Sequence, residues 1–313
     1  MNKVTSITKI ANSLPYLMIV SGALIIASNH VLARYLDGAI PPMGFVFWRM
    51  VTGAIFLLPF TVYGLLKNRE FILKHWKLFL LMGALFVPLG NGLIYVSYLY
   101  TTAINGGVVS ASQPALTVLL SWLLFNEFIN WKQSIGILIA GIGVLSIITN
   151  GELSTLAGLQ FNIGDLVMLA AVIFGALYNV LIQKVPREIP VSQLLIIVLC
   201  TGSLITLPLY ILETIYFAPV TITPLNIFSI IWVGVAVTTI AVGMISFSIR
   251  KIGANKASIS NYMRALFTAL LAVLILDENF EFYHMFAIIF VISGVFLMTL
   301  GSAAKNDYRI KQQ

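Results

Sequence analysis

The chain has 313 residues, 59% of them hydrophobic and only 9% charged, with a net charge of +7 and a mean hydropathy of +0.99. Soluble domains carry about 25% charged residues, so this composition excludes a soluble globular class. Ten membrane spans of about 20 residues each would leave no room for a sizeable soluble domain.

The N-terminus carries Lys3 and Lys9 ahead of a long apolar segment with no small-residue cleavage site. It reads as a retained first span rather than a removed signal peptide. Spans are predicted at 14–36, 43–65, 77–99, 104–125, 133–150, 164–184, 192–214, 226–248, 255–276 and 283–302. Turn chemistry marks the breaks: Asp37-Gly38 before Pro41-Pro42, Asn105-Gly106-Gly107, Asn150-Gly151, Pro186 with Pro190, Pro224 and Gly253. The lone Cys200 lies inside an apolar run, which leaves no disulfide framework and no paired-cysteine metal motif.

Basic residues then orient the chain. Of the 18 lysines and arginines, 15 fall in the two tails or at the connections that share their side of the membrane. Arg34 ends the first span on the other side, and Arg49 and Arg264 fall within spans. Positive charge accumulates on the cytoplasmic side, so both termini are expected there, and the +7 reflects topology rather than an affinity for nucleic acid.

A shift of 151 residues superposes Ser110 on Asn261, Gln113 on Arg264, Thr117 on Thr268 and Glu127 on Glu278. A shift of 150 brings Asn29 onto Asn179 and Arg34 onto Lys184. Positions 110, 113 and 117 share one face of a helix. The expected fold is an all-α polytopic membrane protein of ten transmembrane helices in two repeats, 1–150 and 151–313. Five crossings reverse direction, so the second repeat is inverted, a plan that places a substrate site near midplane at the repeat interface.

Arg264 is the most informative single residue. A guanidinium in hydrocarbon costs from about 2.5 to 17 kcal/mol and defaults to a functional reading. At 1.5 Å per residue, Arg264 and Gln113 both lie about 14 Å into their spans. They are expected to flank one central cavity, with Ser110, Asn261, Thr117, Thr268 and Tyr262 as further substrate-binding candidates. Arg264 would hold a carboxylate or phosphate; the competing reading is a structural arginine capped by backbone carbonyls.

Arg49, His30, Asn29, Asn91 and Tyr95 fall in the outer thirds of their spans and form a candidate outer gate or vestibule. Against this, Arg49 would snorkel to the headgroups, the amides would bridge helices, and His30 would serve packing. Glu127 and Glu278 at helix ends read as solvated or bonded within their loops, and Asp165 as a helix N-terminal charge. Tyr98, Tyr100, Trp122, Trp131, Trp232 and Tyr283 read as interfacial anchors, and Tyr178 as packing. There is no phosphate-binding loop motif, no HExxH and no convergent nucleophile or metal cluster, so neither an enzyme nor a cofactor or metal is expected.

The run P-A-L-T-V-L-L-S-W-L-L-F-N-E from Pro114 to Glu127, followed by G-I-L-I-A-G-I-G-V-L at 136–145, resembles the EamA family of the drug/metabolite transporter superfamily. F-W-R at 47–49 is similar to that family's arginine in the second span, Tyr95 to Ala103 to the end of its third, and Gly164-Asp165, Glu278 and Gly294-Val295 extend the likeness through the second half. Where the family usually repeats the proline in the ninth span, this chain has Ala265, which puts a kink there in doubt.

The resemblance implies a ten-span inner-membrane carrier of metabolites, often an exporter of amino acids. The expected function is transport of small anionic or zwitterionic solutes by alternating access. A lipid-linked carrier or flippase meeting a phosphate headgroup is the alternative, marked by a lateral opening. Expected partners are a small-molecule substrate, the lipid bilayer and, as an option, a second copy of the chain.

Overall fold

The computed structural model describes residues 2–36, 39–126, 129–152, 162–182, 185–186, 189–252 and 259–310. Among them, nine helices are long and apolar enough to cross a membrane, and a tenth apolar helix is shorter. In chain order, span 1 is Leu14–Leu36, span 2 Pro42–Lys67, span 3 Trp76–Ser97, span 4 Ala103–Phe125 and span 5 Trp131–Ile148. The second series is span 6, Ile163–Ile182, span 7, Val191–Tyr216, span 8, Pro224–Ser248, span 9, the shorter Ser260–Leu276, and span 10, Phe282–Leu300. Large apolar side chains such as Phe60, Tyr63, Leu204 and Ile215 point outward, as lipid contact allows and water would not.

Span ends follow local chemistry. Asn130 caps span 5 in a reciprocal capping box with Gln133. Thr223 accepts from the Asn226 N–H at the start of span 8, and Pro224 occupies the first turn. Asn126 (φ 51°) closes span 4 and Asp277 (φ 52°) closes span 9. Both side chains tolerate the left-handed conformation that stops a helix, and the two positions are 151 residues apart.

The neighbour pattern carries a pseudo-twofold relation. Span 1 packs on spans 8 and 9, and its repeat mate, span 6, packs on spans 3 and 4. Spans 2 and 7, 4 and 9, and 5 and 10 pack against their own mates. Glycines set the closest crossings. A Cβ added at Gly136 would lie 2.5 Å from the Gly294 carbonyl, and one at Gly294 equally close to the Gly136 carbonyl. Such contacts let backbones approach where lipid supplies no hydrophobic drive.

Among the described residues, three spans depart from a plain α-helix. Span 3 is π-helical over Leu85–Gly92 and span 8 over Trp232–Ala241. In each, a polar side chain reaches back five residues: Asn91 Nδ2 donates to Phe86 O at 2.6 Å, and Thr238 Oγ1 to Val233 O at 2.8 Å. Such segments inside α-helices frequently mark functional sites. Span 4 is interrupted at Ser112, between Ala103–Ala111 and Gln113–Phe125, with Pro114 opening the second piece. Span 9 runs unbroken through Ala265, so the kink put in doubt for the second copy is absent.

Candidate functional site

The proline in span 4 creates a specific vacancy in the backbone ladder. Pro114 has no N–H, so the Ser110 carbonyl four residues earlier lacks its helical donor. Arg264 supplies the replacement, donating from Nη2 to Ser110 O at 3.1 Å. The two mates therefore meet at the Ser110 carbonyl, which Pro114 leaves without a helical donor and which the arginine peculiar to the second copy takes up. Pro114→Ala restores a donor that competes with Arg264 for this carbonyl. We expect that variant to fold normally and to shift half-saturation for transport several-fold, measured as uptake against concentration.

Arg264 and Gln113 line one cavity of about 200 Å³. Spans 1, 2, 3, 4, 6, 8 and 9 contribute to its wall, so three mate pairs, 1 and 6, 3 and 8, 4 and 9, all take part. Symmetry extends to side chains: Asn29 and Asn179 both line it, as do Asn91 and Thr238. Tyr178 also lines the wall while packing on Phe86, ring centroids 4.7 Å apart. Asn179 was visible in the sequence as the mate of Asn29; Thr238 had no such signal.

The helical stripe of substrate-binding candidates divides. Ser110, Gln113 and Arg264 are on the wall; Thr117, Asn261, Tyr262 and Thr268 are not among its lining residues. The break at Ser112 ends the regular 3.6-residue face between Ser110 and Thr117, and Thr117 Oγ1 instead donates to Gln113 O at 2.9 Å. Thr268 is fully buried against Gly107, where an added Cβ would meet its Cγ2 at 2.7 Å. Thr268 thus serves the crossing of spans 4 and 9.

The outer-gate candidates and the substrate-binding candidates come together at one cavity. Asn29, His30, Arg49 and Asn91 line the same cavity as Arg264. The snorkelling reading of Arg49 is corrected: the side chain is 2% exposed. Its Nη1 donates to Asn29 Oδ1 at 3.3 Å and to the Tyr95 hydroxyl at 3.4 Å, and its Nη2 to Asn91 Oδ1. Tyr95 in turn donates to Asn29 Oδ1, and its ring centroid lies 4.9 Å from the guanidinium carbon. Three acceptors on spans 1 and 3 thus outcompete the headgroup region for this donor. The Nε atoms of both Arg49 and Arg264 are buried without a hydrogen-bond partner.

Above the cavity, the span ends farther from the chain termini are tied by hydrogen bonds within the first repeat and between the repeats. His30 Nδ1 meets the Tyr98 hydroxyl at 2.5 Å and Arg34 donates to Tyr98 O at 2.8 Å, so Tyr98 is a buried partner rather than an interfacial anchor. Glu278, half-buried, bonds beyond its own loop: its carboxylate accepts from the Ala103 and Ile104 N–H groups at 2.7 and 3.0 Å, capping span 4 from the far repeat. Glu213, which nothing in the sequence singled out, does the same for Met43 and Gly44 at 3.1 and 2.8 Å. Asp165 is fully buried and accepts from Thr101 and from Asn105 Nδ2, while Asn105 Oδ1 meets His284 Nε2 at 3.0 Å. Glu127, the repeat mate of Glu278, lies outside the described residues.

Two copies of a five-span unit around a charged cavity match a known plan. The model of the EamA-like transporter family matches residues 13–149 and 162–300. The chain belongs to the EamA-like transporter family. It is therefore a membrane transporter rather than an enzyme. The transporter is 25% identical over 307 residues to the uncharacterized transporter YyaM of Bacillus subtilis (strain 168), covering 95% of this chain and 97% of that one. It is 22% identical over 290 residues to an uncharacterized transporter of Archaeoglobus fulgidus, covering 92% and 98%. A solved crystal structure 19% identical in sequence superposes with a TM-score of 0.58 over 90% of this transporter and 96% of that chain, a likeness of fold.

A second, apolar groove lies on the lipid-facing side of spans 1, 8 and 9, lined by residues such as Leu24, Leu32, Phe228 and Trp232. It shares no lining residue with the charged cavity. Trp232 Nε1 donates to Ser28 Oγ at 3.0 Å across the seam between spans 1 and 8.

Proposed function

We propose that this transporter carries a small anionic or zwitterionic solute, bound through a carboxylate or phosphate on Arg264 opposite Gln113, and moves it by alternating access of the two repeats. One observation carries the reading: Arg264 lines the cavity with a single backbone carbonyl as acceptor and its Nε unpartnered. A guanidinium buried in that way is stabilised by an incoming anion far more than by any group already around it.

The lining supports a direction of opening. His30, Asn91 and Arg49 lie six or seven residues, about 9 to 11 Å, from the sealed span ends, whereas Asn179 lies three residues from the opposite end of span 6. The cavity wall thus extends toward the end that bears the chain termini. The distribution of lysine and arginine supports placing that end in the cytoplasm, so this conformation is the cytoplasm-facing one, in the cytoplasmic membrane of a prokaryotic cell. The separation of the apolar groove from the charged cavity favours an aqueous solute over a lipid-linked one.

Purified protein in proteoliposomes tests the reading by uptake and counterflow over amino acids, carboxylates, phosphate esters and nucleosides, with Arg264→Gln as the control. The expected result is saturable, counterflow-active uptake of a solute bearing a carboxylate or phosphate, lost in the control. Uptake restricted to cations would overturn it.

A further inference from the structure

The proposed anion site needs one guanidinium, but the cavity holds two. Arg49 and Arg264 line the same space of about 200 Å³, and none of the described residues on its wall is acidic. The groups that hold Arg49 in place, Asn29, Asn91 and Tyr95, are neutral acceptors. They fix its position without cancelling its charge. Arg264 has only the Ser110 carbonyl. Each arginine keeps a buried, unpartnered Nε. Two like charges sharing a low-dielectric space repel each other, and a single negative charge leaves one of them uncompensated.

The repeat shows that this pair is not a by-product of duplication. Arg264 has Gln113 as its mate, and in the register that aligns Pro59 of span 2 with Pro208 of span 7, Arg49 falls on Val198, a fully buried apolar residue that does not line the cavity. Each repeat therefore contributes one arginine from a different span, and neither arginine is echoed by its counterpart. A solute touching both would bridge the two repeats, which must move relative to one another during transport.

Resting on the proposed anion binding at Arg264, we infer that the site takes a solute with two negative charges, one facing each guanidinium, and that Arg49 is the second anchor rather than part of a gate. Dicarboxylates and phosphate monoesters share this chemistry. An ammonium group, by contrast, meets no carboxylate on the described wall, so dianions are favoured over zwitterionic amino acids.

Matched pairs differing by one charge test the assignment. The thermal unfolding midpoint of the purified transporter is followed against concentration of succinate, succinamate and succinamide, and of glycerol 3-phosphate and its methyl diester. Counterflow of the same solutes is measured in proteoliposomes. The expected result is that the dianion of at least one pair half-saturates at a concentration at least tenfold lower than its monoanion; which pair responds tells a carboxylate site from a phosphate site. In Arg49→Gln that ratio is expected to fall below about twofold while monoanion binding persists. Because Arg49 also ties spans 1, 2 and 3, Arg49→Lys provides a charge-retaining control, and the wild-type pairs decide the question by themselves. Monoanions binding as tightly as dianions, or no dianion binding at all, overturns the two-charge assignment. Arg264-dependent binding of a monoanion or an amino acid leaves the carrier reading standing, and binding restricted to cations overturns both.

Discussion

Arg264→Gln is expected to abolish transport while leaving folded yield and thermal stability near wild type. The side chain makes one hydrogen bond to the protein, to Ser110 O, so little native structure depends on it. Gln is also the residue that the other repeat carries at the matching position, Gln113. What is lost is the charge-assisted contact to the solute. Hydrogen bonds to charged groups contribute about 1.5–3 kcal/mol each, so losing one or two lowers uptake by roughly 10- to 10⁴-fold, given a factor of ten per ~1.4 kcal/mol. Arg264→Lys keeps the charge but not the planar fork and is expected to retain partial activity, about a tenth of wild type. Initial rates of uptake in proteoliposomes, normalised to monodisperse protein, measure both. Unchanged transport by the Gln variant would assign Arg264 a purely structural role.

Gly294→Leu is expected to have the largest effect on stability. Spans 5 and 10 cross with each glycine against the other's backbone: an added Cβ at either position would lie 2.5 Å from the facing carbonyl oxygen. The obstacle is backbone, which cannot rotate aside, so the spans must separate along their length. Overpacking of a tight interface costs about 1–3 kcal/mol, and here the displacement also disturbs the packing of Gly143 on Val291. The unfolding midpoint in detergent is expected to drop sharply and the monodisperse fraction to fall with it. Gly141→Leu, on the partner span 5 but with nothing within 4 Å of its added Cβ, is expected to be neutral. Neither span 5 nor span 10 lines the cavity, so transport per folded molecule should survive in any Gly294 variant that is recovered. A stable Gly294→Leu protein would mean that this crossing is not tight.

The stripe at Ser110, Gln113 and Thr117 shows where sequence reasoning succeeds and where it stops. Periodicity placed all three on one helix face, and the repeat paired Gln113 with Arg264. Both of those residues do line one cavity. Thr117 does not, because Pro114 interrupts the helix between them, and the consequence of that interruption depends on a donor 150 residues away. Arg49 shows the same limit from the other side. Its depth was legible from its distance to the span end, but its choice between headgroups and interior rested on Asn29, Asn91 and Tyr95, on other helices. Glu213 and Thr238 carried no pattern at all; one acquires a role by meeting the start of span 2, the other by lying in a π-helical turn.

By itself, the sequence determined that this is a polytopic helical membrane protein, where its spans lie and that its two halves repeat. In hydrocarbon a backbone must satisfy its own hydrogen bonds, so length and apolarity alone identify a span, and duplication leaves marks along the chain. Only the tertiary structure decided that Arg49 and Arg264 share one cavity and that Glu278 and Glu213 seal its far end. Those arrangements are set by which helices cross and how closely, and they depend on side chains from distant spans meeting at distances that a one-dimensional pattern does not encode.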